Sequence, residues 1–208
     1  MDRKIVITIG REFGSGGREI GMKLAESFGI AYYDKELFAV AARESGLSPD
    51  IFEKVDERTS GGIAYALSMG FSYIGGYTPY DNILSNENLF KLQSDAIRHL
   101  AEQESCVIVG RCADYILRDH PDCLSFFIHN KAENRIKRIT DSQKVSVAQA
   151  RELMVKTDKS RAAYYNYYSN KEWGRSSSYN FSFDVSVLGI DETVVFMKKL
   201  IERKLEIS

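Results

Sequence analysis

The chain has 208 residues, a net charge of −1 and 27% charged residues. That length buries the core of one domain, or of one core with inserted lobes. The near-neutral balance excludes the broad basic field of a nucleic-acid binder. Three cysteines, Cys106, Cys112 and Cys123, are an odd number without zinc spacing, which fits a reducing, cytoplasmic location. The apolar run Ile5-Val6-Ile7-Thr8-Ile9 is too short for the core of a signal peptide.

A β-branched run reads as a strand over residues 4–10 and breaks into a loop holding Gly10, Gly14, Gly16 and Gly17. Ile20, Leu24 and Phe28, four apart, start a helix at once over 18–28, closed by Gly29. A second strand over 30–33 ends at Asp34. A helical pattern over 35–44 stops at Gly46 and restarts at Ser48-Pro49-Asp50, an N-cap with proline in the first turn. Residues 59–80 carry no charge, enough chain to cross a bilayer. Their glycines, Pro79 and hydroxyl side chains instead predict a buried or interfacial segment, covered by neighbouring helices or by a second copy in a homodimer. A long helix over 86–103 sets Leu89, Leu92, Ala96 and Leu100 on one side. Strands follow over 106–109, 124–128 and 181–187, and a last helix over 191–205 turns Val194, Met197, Ile201 and Leu205 inward. Strand alternating with helix predicts an α/β fold with a parallel sheet covered on both faces.

The chemistry begins at the first loop. Strand, glycines and helix N-terminus form a phosphate cradle, because the unpaired N–H groups and the positive end of the helix dipole face an anion. Arg18 stands where a P-loop wants its basic residue. The match to G-x-x-x-x-G-K-[ST] is imperfect, since Arg18 replaces Lys, Glu19 replaces Ser/Thr, and Gly10 lies seven residues before Gly17 instead of five. Two other readings stay open. Gly14-Ser15-Gly16 also begins the dinucleotide pattern G-x-G-x-x-G, with Asp34 about 20 residues on, but its third glycine is Glu19. Four glycines can also simply serve a tight strand-to-helix turn.

In an open α/β sheet, ligands sit beyond the carboxyl ends of the strands. That edge collects residues 10–18, Asp34, residues 110–114 and His129-Asn130. Arg111 is placed to grip a second phosphate bidentately, the alternative being a helix-start arginine paired to Asp114. Residues 144–175 hold seven basic side chains against three acidic ones, a local charge of +4. Either this is a solvated helix face or a lid that closes basic groups over polyphosphate. Tyr164, Tyr165, Tyr167, Tyr168 and Trp173 interleave with those charges and can pack the lid, stack on a base or form a dimer surface.

Four segments together carry a resemblance. They are Gly10-Arg-Glu-Phe-Gly-Ser-Gly-Gly-Arg18, Tyr32-Tyr33-Asp34, Val109-Gly110-Arg111-Cys112-Ala113-Asp114, and Lys156-Thr-Asp-Lys-Ser-Arg161 with Tyr164-Tyr165. With them the whole chain resembles the cytidylate kinase-like family, a branch of the P-loop nucleoside monophosphate kinases. The resemblance implies a five-stranded parallel sheet in a three-layer fold, with a core of residues 1–47, 104–140 and 179–208. It implies an acceptor-binding insertion over 48–103 and a lid over 141–178. It also implies transfer of a phosphoryl group from ATP, with Mg2+, to a nucleoside monophosphate such as CMP, and no nucleic-acid or membrane partner. By that logic Gly14, Ser15, Gly16, Gly17, Arg18 and Glu19 hold the donor phosphates. Asp34, Arg111 and Asp114 meet the acceptor, and Arg18, Arg111, Lys159 and Arg161 serve the transfer itself.

The chain departs from cytidylate kinases in three places. Where those proteins read D-[ST]-G-x-x-Y-R after strand two, this chain reads Asp34-Lys35-Glu36-Leu37-Phe38-Ala39-Val40, without the hydroxyl and arginine that would meet CMP. Gly-Arg-Asp after strand three becomes Gly110-Arg111-Cys112, and the loop lacks the hydroxyl that usually binds magnesium. A nucleotide-binding regulatory protein without turnover, or a kinase of another small phosphorylated acceptor, therefore stands beside the cytidylate kinase reading.

Overall fold

The computed structural model describes residues 4–34 and 86–207. The expected helix at 35–44, the helix restarting at Ser48-Pro49-Asp50 and the uncharged segment 59–80 lie outside the described residues. Five strands are present: β1 (Val6–Arg11), β2 (Ala31–Tyr33), β3 (Cys106–Val109), β4 (Cys123–His129) and β5 (Phe181–Asp184). They form one parallel sheet in the order β2-β3-β1-β4-β5. The helices described are α1 (Gly17–Phe28), α2 (Asn86–Gln103), α3 (Ala113–Ile116), α4 (Ala132–Gln143), α5 (Val147–Ser169) and α6 (Val185–Ile207). None of these helices is long and apolar enough to cross a membrane.

The period-two alternation of strand side chains divides the core into two layers. Ile5, Ile7 and Ile9 face one way and pack with Ile20 and Leu24 of α1 and Met197 and Ile201 of α6. Val6, Cys106 and Ile108 face the other way, against Ile97 and Leu100 of α2 and Ile116 of α3. A third small cluster, Ile136, Ile139, Ala150 and Met154, joins α4 to α5. Helix α1 ends as expected, with Gly29 in the left-handed region at φ 65° and its N–H returned to the last turn.

Two boundaries differ from the sequence expectation. The fifth strand stops at Asp184 instead of running to Val187, because the Asp184 carboxylate accepts the Ser186 N–H at 2.9 Å. That local turn ends the extended backbone and starts α6 at once. Helix α6 is then broken at Gly189 (φ 75°, ψ 176°) before its core-facing part. On α2, Ala96 and Leu100 are buried as expected and Leu92 is half-buried, while the side chain of Leu89 lies outside those described. The stripe also contains Gln93, Ile97 and Ala101.

Candidate active site

The loop between β1 and α1 is held by its backbone and by a buried ion network. Gly14 (φ 77°) and Gly16 (φ 97°) both sit in the left-handed region, and Gly16 is the N-cap of α1. Ser15 is fully buried, donates to the Glu12 carbonyl at 2.9 Å and accepts from the Gly17 N–H at 3.3 Å. The Phe13 peptide is gripped from both sides. Its N–H donates to the Asp158 carboxylate at 2.8 Å, and its carbonyl accepts from Arg135 Nε at 2.8 Å. Arg135 also pairs with Asp158 and with Glu12, the latter at 3.1 Å. Glu12 in turn accepts the Asn130 N–H at 3.1 Å. One guanidinium thus ties β4, α4 and α5 to the loop.

Arginines crowd the space above the loop. Arg18 Nε lies 3.1 Å from the Asp34 carboxylate, and Arg11 approaches the other oxygen of that carboxylate at 3.6 Å. Arg138 on α4 donates to Glu19 at 2.8 Å. Arg161 on α5 donates to the Arg11 carbonyl at 2.9 Å and lies over the Phe13 ring. Burial pulls the Arg11 guanidinium below its ordinary value, against the attraction of Asp34. Burial, and then the like charge of Arg11, brings Arg111 down to about 10.

The second polar site sits where β3 ends. Gly110, Arg111 and Cys112 are left-handed in succession, at φ 79°, 63° and 53°. Two of the three carry side chains, so the turn stores strain that the surroundings must hold. Gln93 does part of that holding, donating to the Arg111 carbonyl and to the Tyr164 hydroxyl, each at 3.2 Å. Asp114 accepts from the Tyr165 hydroxyl at 2.7 Å, and burial raises its carboxyl above the ordinary value despite that bond.

Two cavities meet here. The larger, about 540 Å³, is lined by the loop, Arg18, Glu19, Asp34 and Arg138. The smaller, about 40 Å³, is lined by Asp114, Tyr164, Tyr165, Trp173 and Tyr179. Arg11, Arg111 and Arg161 line both. The structure therefore brings Gly14, Gly16, Gly17, Arg18, Glu19, Asp34, Arg111, Asp114 and Arg161 around one space. Ser15 turns inward beneath the loop, and Lys159 is exposed on α5 and lines neither cavity. The α5 aromatics pack mostly inward. Tyr168 stacks on Phe90 of α2 at 4.0 Å, and Tyr165 stacks on Tyr179 at 5.8 Å, while Tyr167 is exposed.

Sequence reasoning missed Arg11, Arg135, Arg138 and Gln93. A signal existed for two of them. Arg135 and Arg138 lie three apart on the helix that leaves the carboxyl end of β4, one turn presenting both to the loop. Gln93 gave no such sign on a helix face that otherwise reads as apolar.

A model of the cytidylate kinase-like family matches residues 6–187. The chain belongs to the cytidylate kinase-like family. A relative named cytidylate kinase, from Methanopyrus kandleri, is 27% identical over 97% of this chain and 95% of its own length. A solved structure of an uncharacterized protein from Eubacterium ventriosum superposes with a TM-score of 0.71 at 30% identity, covering 96% of this chain and 99% of that one. Shikimate kinase from Bacteroides thetaiotaomicron shares the fold at a TM-score of 0.54 and 12% identity, covering 95% and 98% of the two chains. Family and fold together support a phosphotransferase of the kinase class that uses nucleotide substrates.

Proposed function

We propose that this cytidylate kinase-like protein transfers the terminal phosphoryl group of ATP to a nucleoside monophosphate, with a CMP-like acceptor. The observation that carries the reading is the pair of cavities joined through Arg11, Arg111 and Arg161. A phosphoryl transfer needs donor and acceptor in line and the migrating charge neutralised, and little covalent chemistry from the protein. The backbone of residues 14–19 and the first turn of α1 would hold the donor phosphates, with Arg18 beside them. Arg111 would bind the acceptor phosphate at the mouth of the aromatic cavity, with Asp114 and Asp34 fixing its surroundings. Arg161 reaches the junction from α5, and Lys159 would have to turn inward with a moving lid to join it. An acceptor phosphate is already nucleophilic at neutral pH, so the transfer requires no general base.

The reading also implies Mg2+. Each described carboxylate lining the larger cavity is already engaged: Glu12 by Arg135, Glu19 by Arg138 and Asp34 by Arg18. Among the described residues no group of three or more His, Cys, Asp or Glu side chains could hold a metal. These residues do not fit a protein-held magnesium, and the reading requires the cation to arrive on the phosphates of the nucleotide.

Incubating the pure protein with ATP, Mg2+ and each nucleoside monophosphate, while measuring ADP release, tests the proposal. Fastest turnover with CMP supports it. Turnover confined to a different phosphorylated acceptor retains the kinase and replaces the substrate. Nucleotide binding without ADP release from any acceptor would favour the regulatory reading, to which the missing loop lysine and hydroxyl already point.

A further inference from the structure

The loop lacks the lysine that P-loops use against the donor phosphates, and its first helical residue is Gly17. Another cation occupies that region. Arg11 is the last residue of β1, and its side chain runs through a lane left open by two glycines. A Cβ on Gly17 would lie 2.6 Å from Arg11 Cβ, and one on Gly110 would lie 2.0 Å from Arg11 Nη1. Any side chain at either position would expel Arg11 from its path. The lane ends between Asp34 and the junction of the two cavities.

Resting on the phosphotransfer reading above, we propose that Arg11 is a catalytic residue that grips the terminal phosphoryl group of the donor, in the role of the absent loop lysine. The argument is one of position. The group being transferred must pass from the donor space to the acceptor space, so it lies where the cavities join. Among the described residues three side chains line both cavities. Arg111 comes from the acceptor side in the turn after β3, Arg161 comes across from α5, and Arg11 rises from the end of β1 beneath the donor loop. Its main chain is fixed there by the Arg161 bond to its carbonyl at 2.9 Å. Its ion pair with Asp34, at 3.6 Å, is looser than that of Arg18 on the same carboxylate, at 3.1 Å. Arg11 and Arg111 are two like charges held close with little water, an arrangement that an anion placed between them relieves.

A structural role for Arg11, that of merely holding Asp34, makes a different prediction from a role on the terminal phosphoryl. Holding Asp34 affects ATP and ADP alike, whereas the phosphoryl contact is present only with ATP. The experiment is calorimetric titration of the full chain and of Arg11→Met with ADP and with the β,γ-imido analogue of ATP, both with Mg2+. Methionine keeps an apolar stem in the glycine lane. The analogue is expected to lose about tenfold or more in affinity, the scale of a charge-assisted contact, while ADP changes by less than about threefold. If Arg11→Met does not fold, Arg11→Gln keeps a donor for Asp34 and supports the same comparison. Equal losses for both nucleotides, or an unchanged preference for the analogue in a folded variant, overturn the proposal. If the unaltered chain binds neither nucleotide, the phosphotransfer reading fails and this inference with it. If it prefers the analogue through Arg11 yet phosphorylates no monophosphate, the acceptor reading fails and the role of Arg11 stands.

Discussion

Arg135 is the residue on which the loop's shape most depends. It is buried, and a truncated Arg135→Ala would leave Glu12 and Asp158 without the cation they share and the Phe13 carbonyl without its side-chain donor. Breaking a buried pair from one side costs about 3 kcal/mol or more, so urea unfolding should show a loss of that order. Arg135→Lys should recover only part of it, because one ammonium cannot reproduce the guanidinium fork. Asp114 makes a prediction about pH. Burial raises its carboxyl in the folded state, so the folded chain holds the proton to higher pH than the unfolded one. Stability from this group is therefore full below the ordinary carboxylate value and lost as pH rises through the raised one. Asp114→Asn removes that loss, so its unfolding free energy relative to the natural chain should improve between pH 4 and pH 7. A difference that stays constant over that range would show that Tyr165 already compensates the charge. Single residues were also the least legible scale in the sequence. Arg18 and Arg111 each follow a glycine, at a helix start and just past a strand end, where their chemistry could be read. Arg11 was hidden inside the same motif, because its direction depends on Gly110, far away in the chain.

At the scale of elements, the two glycines flanking α1 separate conformation from crowding. Gly29 has φ 65° with nothing within 4 Å of an added Cβ, so Gly29→Ala should cost only the left-handed strain, about 1 kcal/mol. Gly14 has φ 77°, and an added Cβ would lie 2.8 Å from the Arg135 carbonyl, so Gly14→Ala should cost about 3 kcal/mol. Denaturation midpoints of the two variants check the order. Helix α5 is the element expected to act as a lid. It starts at a capping box between Ser146 and Gln149, and it already touches the loop through Asp158 and Arg161 and the acceptor side through Tyr165. Amide exchange along Val147–Ser169 should slow further with the ATP analogue, and more than in the sheet, if this helix closes over nucleotide. Strands and helices were well legible because their periods are local. The misplaced end of β5 was not, since Val185 and Val187 look like strand residues and only the Asp184–Ser186 turn decides otherwise.

For the whole molecule, alternating strands and helices were enough to read the parallel sheet, while the strand order, being set by long-range pairing, was not. The cysteines test how closed this core is. Cys106 and Cys123 are both pushed up to about 12 by burial, and Cys112 is raised well above its ordinary value for the same reason. Thiols, unlike thiolates, are poor nucleophiles, so the native chain should resist a thiol reagent at pH 8 and react at all three positions once unfolded. Fast reaction of the native chain would mean that the layer beneath α2 and α3 opens readily.

The position of β1 at the centre of the sheet has a consequence for synthesis. The strand carrying the phosphate loop leaves the ribosome before the other strands of the sheet, and its two neighbours, β3 and β4, emerge about a hundred residues later. Until β3 emerges, Ile20 and Leu24 of α1 are the described core partners available to Ile5, Ile7 and Ile9, and β1 has neither of its sheet neighbours, leaving its hydrogen-bonding edges open to another extended chain. Among the described strands the first partner for β1 is β3, because β2 pairs with β3 and β5 with β4, never with β1. Translation that halts before Cys106–Val109 is complete therefore leaves β1 without either neighbour, and a halt before Cys123–His129 leaves the edge that β4 covers open.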